Sequence, residues 1–205
     1  VRVLVEGLDG KAATGTQAQQ IRDLYQSYLD QKTRNAKGTA PLLPMLSEIE
    51  QIRTPQDLAR AFAQSGRIGG NAPFGFWIDA DAKAPDSYAV YLYQSGLSLP
   101  DRDYYLKTDA ASQALLQKYE QHIAAMLSRF GEADAGAKAK RILALETRLA
   151  QIQWDNVALR DREKNYNKGP VSELKRPAPA IDWDAYLGQA GLAGHSMEDF
   201  YFLAR

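Results

Sequence analysis

Gln94-Ser-Gly-Leu-Ser-Leu-Pro-Asp-Arg-Asp-Tyr-Tyr-Leu106 packs one glycine, one proline, three charges and two adjacent tyrosines between a strand-like run and a long helical run. Local propensity reads it as a turn followed by a helix start. Asp101 and Asp103, just after Pro100, suit a first helical turn, where the dipole favours a carboxylate. Arg102 beside Asp103 suggests a structural ion pair. Upstream, Phe74-Gly-Phe-Trp-Ile78 and Tyr88-Ala-Val-Tyr-Leu-Tyr93 are rich in aromatic and branched residues and read as two strands. Residues 79–87, with Pro85 inside, form the hairpin connection. Such a ribbon is marginal in water by itself and has to pack on helices.

Downstream, helical spacing predicts a helix over about 110–130, with Leu115, Leu116, Tyr119, Ile123, Met126, Leu127 and Phe130 on one face. Gly131 and Gly136 bracket a break. A second helix follows over about 137–154, striped by Ile142, Leu145, Leu149 and Ile152, and the two read as an antiparallel hairpin. Residues 159–179 are polar and contain prolines, the pattern of loop with short helical pieces. Asp182 caps a last helix that turns Trp183, Tyr186 and Leu187 inward and stops at Gly188 or Gly191.

Toward the start, Val1-Arg-Val-Leu-Val5 alternates like a strand. Thr16 is placed to cap a helix reaching about Gln31, with Ile21, Leu24, Tyr25, Tyr28 and Leu29 as one apolar stripe. A helix over 42–51 comes next. Thr54-Pro-Gln-Asp57 then supplies a cap, a proline at the first helical position and a first-turn acid, with Gly66 as the stop. The expected fold is mainly α with a small antiparallel β-ribbon, an α+β arrangement.

Lys+Arg 25 balance Asp+Glu 25, so no basic field is available for nucleic acid. With 205 residues and 45% hydrophobic content the chain can bury a core. Nothing approaches the roughly 20 apolar residues of a membrane span, and no signal-peptide pattern opens the chain. Cys 0 excludes disulfides and thiolate metal sites. The chain starts at Val1 inside an apolar pattern and stops after Phe200-Tyr-Phe-Leu203, which reads as a fragment of something longer.

The search for chemistry returns little. His122 and His195 do not stand in H-E-x-x-H, where two imidazoles share one helix face around zinc. His122 reads as a surface or boundary histidine and His195 as a turn residue. No G-x-S-x-G occurs. The glycines of 66–75 lack the order and context of a phosphate cradle. Asp101 with Asp103, and Asp155 with Asp161, are carboxylate pairs, but glycoside chemistry needs a separation across a cleft that spacing does not show. Tyr88, Tyr91, Tyr93, Tyr104 and Tyr105 read first as core and boundary packing, with a peptide-facing surface as the alternative.

The residues Gly96, Leu97, Leu99, Pro100, Arg102, Asp103, Tyr104 and Tyr105 resemble the G-L-x-L-P-x-R-D-Y-Y segment of the neprilysin and endothelin-converting-enzyme family of zinc metallopeptidases. Arg160, Asp161, Lys164, Tyr166 and Asn167 are similar to that family's R-D-x-x-K-x-Y-N. Ile21 to Tyr28, Pro41 to Leu46, Phe76 to Asp79, Tyr88 to Gln94 and Leu145 to Ala150 with Trp154 follow the family in order, so the resemblance covers about residues 1–190. Tyr28 stands where vertebrate members carry cysteine, which with the absence of cysteine points to a bacterial, oligoendopeptidase-O-like member.

The resemblance implies a two-lobed gluzincin peptidase, in which a thermolysin-like catalytic lobe is covered by a helical lid lobe that limits access to short peptides. The whole of 1–205 would be one segment of that N-terminal lid lobe. Zinc would belong to the parent enzyme, and its ligands and glutamate base would lie downstream, so no catalytic or metal-binding residue carries over. The implied partners are the catalytic lobe of the same polypeptide and short peptides. The implied location is the periplasm or cell envelope of a bacterium, with the cytoplasm as the alternative. Two rivals remain open at this point: a stand-alone helical module that binds peptides without catalysis, and an unrelated enzyme using the acids at 101–103.

Overall fold

A computed structural model describes residues 1–8, 12–193 and, as backbone, 200–202. It divides into two compact units, 1–47 and 48–205. His195 lies outside the described residues.

The first unit is helical. Arg2–Glu6 form α1, where a strand was expected. An alternating run this short needs a neighbouring strand to satisfy its backbone. The helix instead satisfies its own, and gains an i,i+4 ion pair between Arg2 and Glu6 at 2.8 Å. The phenol of Tyr25 donates to Glu6 at 3.0 Å and ties α1 to α2, Gln17–Leu29. Thr16 caps α2 as expected, accepting from the Gln19 amide at 3.2 Å. Asp30 ends α2 close to the expected Gln31 and caps α3, Gln31–Lys37. A 3-10 turn at Ala40–Leu42 leads into α4, Leu43–Glu50. No described residue of 1–47 is buried. The α2 stripe is largely uncovered: Leu24 is 74% and Tyr28 75% exposed.

The second unit holds the core. Its first helix, α5 (Pro55–Arg67), begins with a reciprocal capping box between Thr54 and Asp57. The Thr54 hydroxyl bond holds the Asp57 carboxyl below its ordinary range. Thr54→Ala is expected to cost about 1 kcal/mol, read as a drop in denaturant midpoint; no change would mean that the first turn is held by packing alone. The helix ends at Arg67, with the Gly70 amide bonded back to the Ser65 carbonyl at 2.8 Å. The glycines of 66–75 thus begin as a helix stop.

Strands β1 (Phe74–Ala80) and β2 (Tyr88–Gln94) pair antiparallel, with Phe76 opposite Leu92 and Trp77 opposite Tyr91. Alternation sends Phe74, Phe76, Val90 and Leu92 to one face, against Ala59 and Ala63 of α5 and Trp183, Tyr186 and Leu187 of α10, Trp183–Ala190. Asp182 caps α10 and Gly191 closes it in a left-handed conformation, as the sequence indicated. Trp77 and Tyr91 stack on the opposite face at 5.2 Å.

Two helical stretches follow β2: the short α6 (Asp103–Leu106), then the hairpin of α7 (Ala110–Arg129) and α8 (Ala135–Ile152). Gly136 lies inside α8 rather than before it. The inward face of α8 is also displaced by one position from the expected stripe. Ala139, Glu146 and Ala150 are buried, whereas Leu145 and Ile152 are exposed.

The segment 158–175 contains a 3-10 turn at Ala158–Arg160, α9 (Arg162–Asn165), β3 (Asn167–Gly169) and a 3-10 turn at Val171–Lys175. The ribbon is wider than expected. β4 (Phe200–Phe202) runs parallel to β2 and antiparallel to β3, giving the order β1-β2-β4-β3.

Candidate functional site

The segment 94–106 wraps around one buried carboxylate. Gly96 sits at φ +89°, and a Cβ there would come 2.9 Å from the Pro73 Cα, so both conformation and space call for glycine. The Leu97 carbonyl accepts from the Asn71 side chain at 3.2 Å. The next two amides, Ser98 and Leu99, donate to the Tyr105 phenol oxygen at 3.2 and 2.9 Å. That phenol donates to Glu146 Oε2 at 2.7 Å. Ser98 Oγ donates to Glu146 Oε1 at 2.8 Å, and the Tyr119 phenol adds a bond at 2.9 Å. Tyr105 and Tyr119 meet edge to face at 6.5 Å. Glu146 is 8% exposed and Tyr105 4%, so three hydroxyls stand in for the water the carboxylate lost.

The motif's charges point elsewhere. Arg102 Nε donates to the Ala150 carbonyl at 3.0 Å, near the end of α8. Asp103 pairs with Lys107 at 3.8 Å instead of with Arg102. Asp101 accepts from the Asp103 amide and from Asn156. Pro100, Asp103 and Tyr104 are exposed, and Leu97 and Leu99 half-buried. Neither Asp101 nor Asp103 lines the cavities described beside the sheet. Asp155 and Asp161 also work locally, Asp155 accepting the Val157 and Ala158 amides and Asp161 the Lys164 amide.

The second motif builds another buried centre. Arg160 is exposed. Asn165 donates to three carbonyls, those of Ala158, Leu159 and Asp161. Tyr166 packs on Ala89 and Tyr91 and donates to Asp81 at 3.3 Å. Asn167 opens β3, and its neighbour Lys168 reaches Asp81 at 2.8 Å. Asp81 is 2% exposed and also accepts the amides of Lys83 and Ala84. Tyr91 donates to the Ala80 carbonyl and accepts the Ala82 amide, fixing the same turn.

Burial holds the phenols of Tyr105 and Tyr119 above their ordinary range, reinforced at Tyr105 by the bond to Glu146. Burial also pushes Tyr186 up to about 12. A raised folded pKa contributes stability that is whole below the unfolded value of about 10 and is lost as pH climbs through the folded value. Stability is therefore expected to stay level through pH 9 and fall above pH 10. Thermal melts between pH 8 and 11.5 check this, and Tyr105→Phe should flatten part of the decline.

Beside β2 and β3 lies a cavity of about 700 Å³, walled by Phe62, Phe74, Leu92, Ile181 and Trp183, with Arg176 among its polar residues. Its size falls within the range of roughly 300–1,000 Å³ typical of ligand clefts. Among the described residues, no group of three His, Asp or Glu side chains is placed to hold a metal ion. The zinc implied by the sequence resemblance was placed in the parent enzyme, downstream of this stretch, and the described residues offer no alternative set of ligands. His122 is exposed on α7.

The N-terminal family model of peptidase family M13 matches residues 1–202. The chain belongs to peptidase family M13. Among curated M13-like relatives, the rat endothelin-converting enzyme-like 1 is 27% identical over 189 residues, 85% of this chain and 24% of that protein. Human endothelin-converting enzyme 1 is 36% identical over 118 residues, 56% of this chain and 15% of that protein. The crystal structure of the Mycobacterium tuberculosis zinc metalloprotease Zmp1 with an inhibitor superposes with a TM-score of 0.87 at 33% identity, covering 98% of this chain and 31% of Zmp1. PepO from Lactobacillus rhamnosis shares the fold, with a TM-score of 0.75 at 22% identity. This M13 chain spans about a quarter of the length of the curated relatives it matches over most of its own.

Sequence reading missed Glu146 as the hub and Asp81 as the second buried acid. The only signal for Glu146 was its place inside the family-like helix segment 145–150. For Asp81 there was the turn position after an aromatic strand, which an exposed acid would occupy equally well.

Proposed function

We propose that this chain is part of the helical lid lobe of a longer zinc metalloendopeptidase, where it helps enclose the substrate chamber and admits short peptides. The observation that carries the reading is the match of residues 1–202 to the N-terminal M13 model, in a chain covering 31% of a zinc metalloprotease of the same fold. The uncovered apolar side chains of 1–47 support it, since soluble monomers rarely leave such patches open. The motif residues at 96–105 and 160–167 are scaffold in this reading: they hold helices to the sheet by buried hydrogen bonds and touch no substrate. Zinc and the groups that use it belong to the rest of the parent polypeptide, and no bond-making step is assigned to this chain. Among the described residues no helix is long and apolar enough to cross a membrane. Export to the periplasm or cell envelope is the proposed location.

The full-length parent should hydrolyse short peptides and lose that activity to a chelator. The 205-residue chain alone should show neither hydrolysis nor stoichiometric zinc by elemental analysis after dialysis. Zinc bound one to one by the isolated chain, or hydrolysis by it, would overturn the assignment. Peptide binding by the isolated chain, with a parent that cleaves nothing, would favour the stand-alone binding module.

A further inference from the structure

We propose that the outer edge of β1 is a docking site for a short extended peptide of the class the parent enzyme cleaves. The peptide adds as one more strand, antiparallel to β1, and is held there without being cut. The inference rests on reading the parent as a peptidase for short peptides, and deepens it by naming where the lid lobe grips one.

The phase of the β1–β2 ladder fixes which backbone groups are open. In an antiparallel pair alternate residues bond to the partner strand, and those between them point away. The register runs without a bulge from Phe74 opposite Gln94 to Ala80 opposite Tyr88. Just past its two ends, the Ser95 amide donates to the Pro73 carbonyl at 3.1 Å and the Asp81 amide to the Ser87 carbonyl at 2.8 Å. By alternation Gly75, Trp77 and Asp79 also bond to β2, and Phe74, Phe76, Ile78 and Ala80 turn their N–H and C=O outward. β1 is the outer strand of the order β1-β2-β4-β3. Among the described residues, the outward groups of Phe74, Phe76 and Ile78 have no hydrogen-bond partner.

Both ends of this edge are closed. Pro73 has no N–H to offer. At the other end the Ala80 amide donates to the Asp79 carboxylate at 2.8 Å, which sets that charge on the outward side, and the Ala80 carbonyl accepts the Tyr91 phenol. The open run from Phe74 to Ile78 measures about 14 Å, the length of a five-residue strand. A strip this short does not by itself reach the roughly 1,200 Å² of a stable interface between two copies. Edges are usually blunted by lysine, proline or a bulge, and residues 74–80 carry none of these. Ile78 and Trp77 are exposed on opposite faces of the strand and give a peptide apolar contact above and below. An antiparallel peptide brings its N-terminus to the Asp79 end, where the carboxylate suits an ammonium group.

Hydrogen exchange at single-amide resolution in the full-length parent tests this. The probe is a five-residue peptide of alternating valine and threonine headed by lysine, with labelling pulses shorter than its survival time. In the free parent the Phe76 and Ile78 amides should exchange fast, and those of Trp77 and Asp79 slowly. Millimolar peptide should slow the outward pair at least about tenfold, because exchange then requires local opening. Of two isomers N-methylated on alternate amides, one should keep this protection and the other lose it, since only one set of amides faces β1. Ile78→Pro removes an outward N–H, leaves the β1–β2 bonds in place and should abolish protection at Phe76. If that variant does not fold, the methylated isomers decide on the unaltered protein. Slow exchange at Phe76 and Ile78 in the free parent overturns the proposal; dependence on protein concentration then assigns the edge to a second copy, and independence to the parent's own chain. Fast exchange at millimolar peptide overturns it, as does equal protection by both isomers, which reports closure at a distance. Hydrolysis by the parent is scored separately, so failure of the peptidase reading and failure of the docking edge are told apart.

Discussion

Glu146→Ala is expected to destabilise the lobe by about 3 kcal/mol, because it strands the buried Tyr105 phenol and the half-buried Tyr119 phenol in place of one satisfied carboxylate. Tyr105, Tyr119 and Ser98 all donate to this side chain. A buried donor left unpaired costs about 1–3 kcal/mol, the exposed Ser98 turns to water at little cost, and water entering the vacated space offsets part of the sum. The damage should spread along the chain. Tyr105 also receives the Ser98 and Leu99 amides, so once it loses Glu146 the turn that joins β2 to α6 loosens. Glu146→Gln, which keeps an acceptor oxygen and nearly the same shape, should retain more than half of the lost stability. Denaturant titration of the full-length parent measures both variants. A loss for Glu146→Ala below about 1 kcal/mol, the size of one exposed hydrogen bond, would show that the carboxylate is solvated and the hub unimportant.

Asp81→Ala should cost about as much, roughly 3 kcal/mol, since the turn amides and the half-buried Tyr166 phenol lose the buried carboxylate that accepts from them. Lys168 lies 2.8 Å from Asp81, and the amides of Lys83 and Ala84 lose their acceptor together with the Tyr166 phenol. The failure should be local at first: the β1–β2 turn and β3 detach from one another while α7 and α8 hold. Hydrogen exchange checks this, with faster exchange expected at 81–91 and 166–169 and little change at 110–150. Replacing Asp81 and Lys168 together by alanine should hurt less than the sum of the single changes, because the pair is coupled. Additive losses would mean that the ion pair contributes nothing beyond its members.

Much of the local structure was legible because its causes are local. A Thr cap before Pro55, an Asp before Trp183 and a glycine at 191 each satisfy or release backbone groups within one turn, and all three are found where the residues placed them. The two strands follow from aromatic and branched residues in alternation. The start of the chain shows the limit of that reasoning. Alternation over Val1 to Val5 is compatible with a strand only if a neighbour pairs with it, and the helix with its Arg2–Glu6 bond takes its place.

The centres of the site were illegible for a related reason. A stripe drawn by hydrophobicity on α8 runs through Leu145 and Ile152, which are exposed, and skips Glu146, which is buried. The helix turned its small alanines and one acid inward because tyrosines from α6 and α7 were there to receive the charge. Pattern reading cannot assign a carboxylate to a core without knowing who donates to it.

By its own residues, then, the sequence determined the caps, the turns, the ribbon and the wording that marks an M13 chain, since each depends on neighbours a few positions away. Tertiary structure alone decided that Glu146 and Asp81 are interior. It also brought β3 and β4 beside the ribbon and opened an apolar cavity next to them. Those outcomes depend on groups 41 and 87 positions apart that meet only after folding, Tyr105 with Glu146 and Asp81 with Lys168. In such pairs burial is favourable only when both partners arrive together.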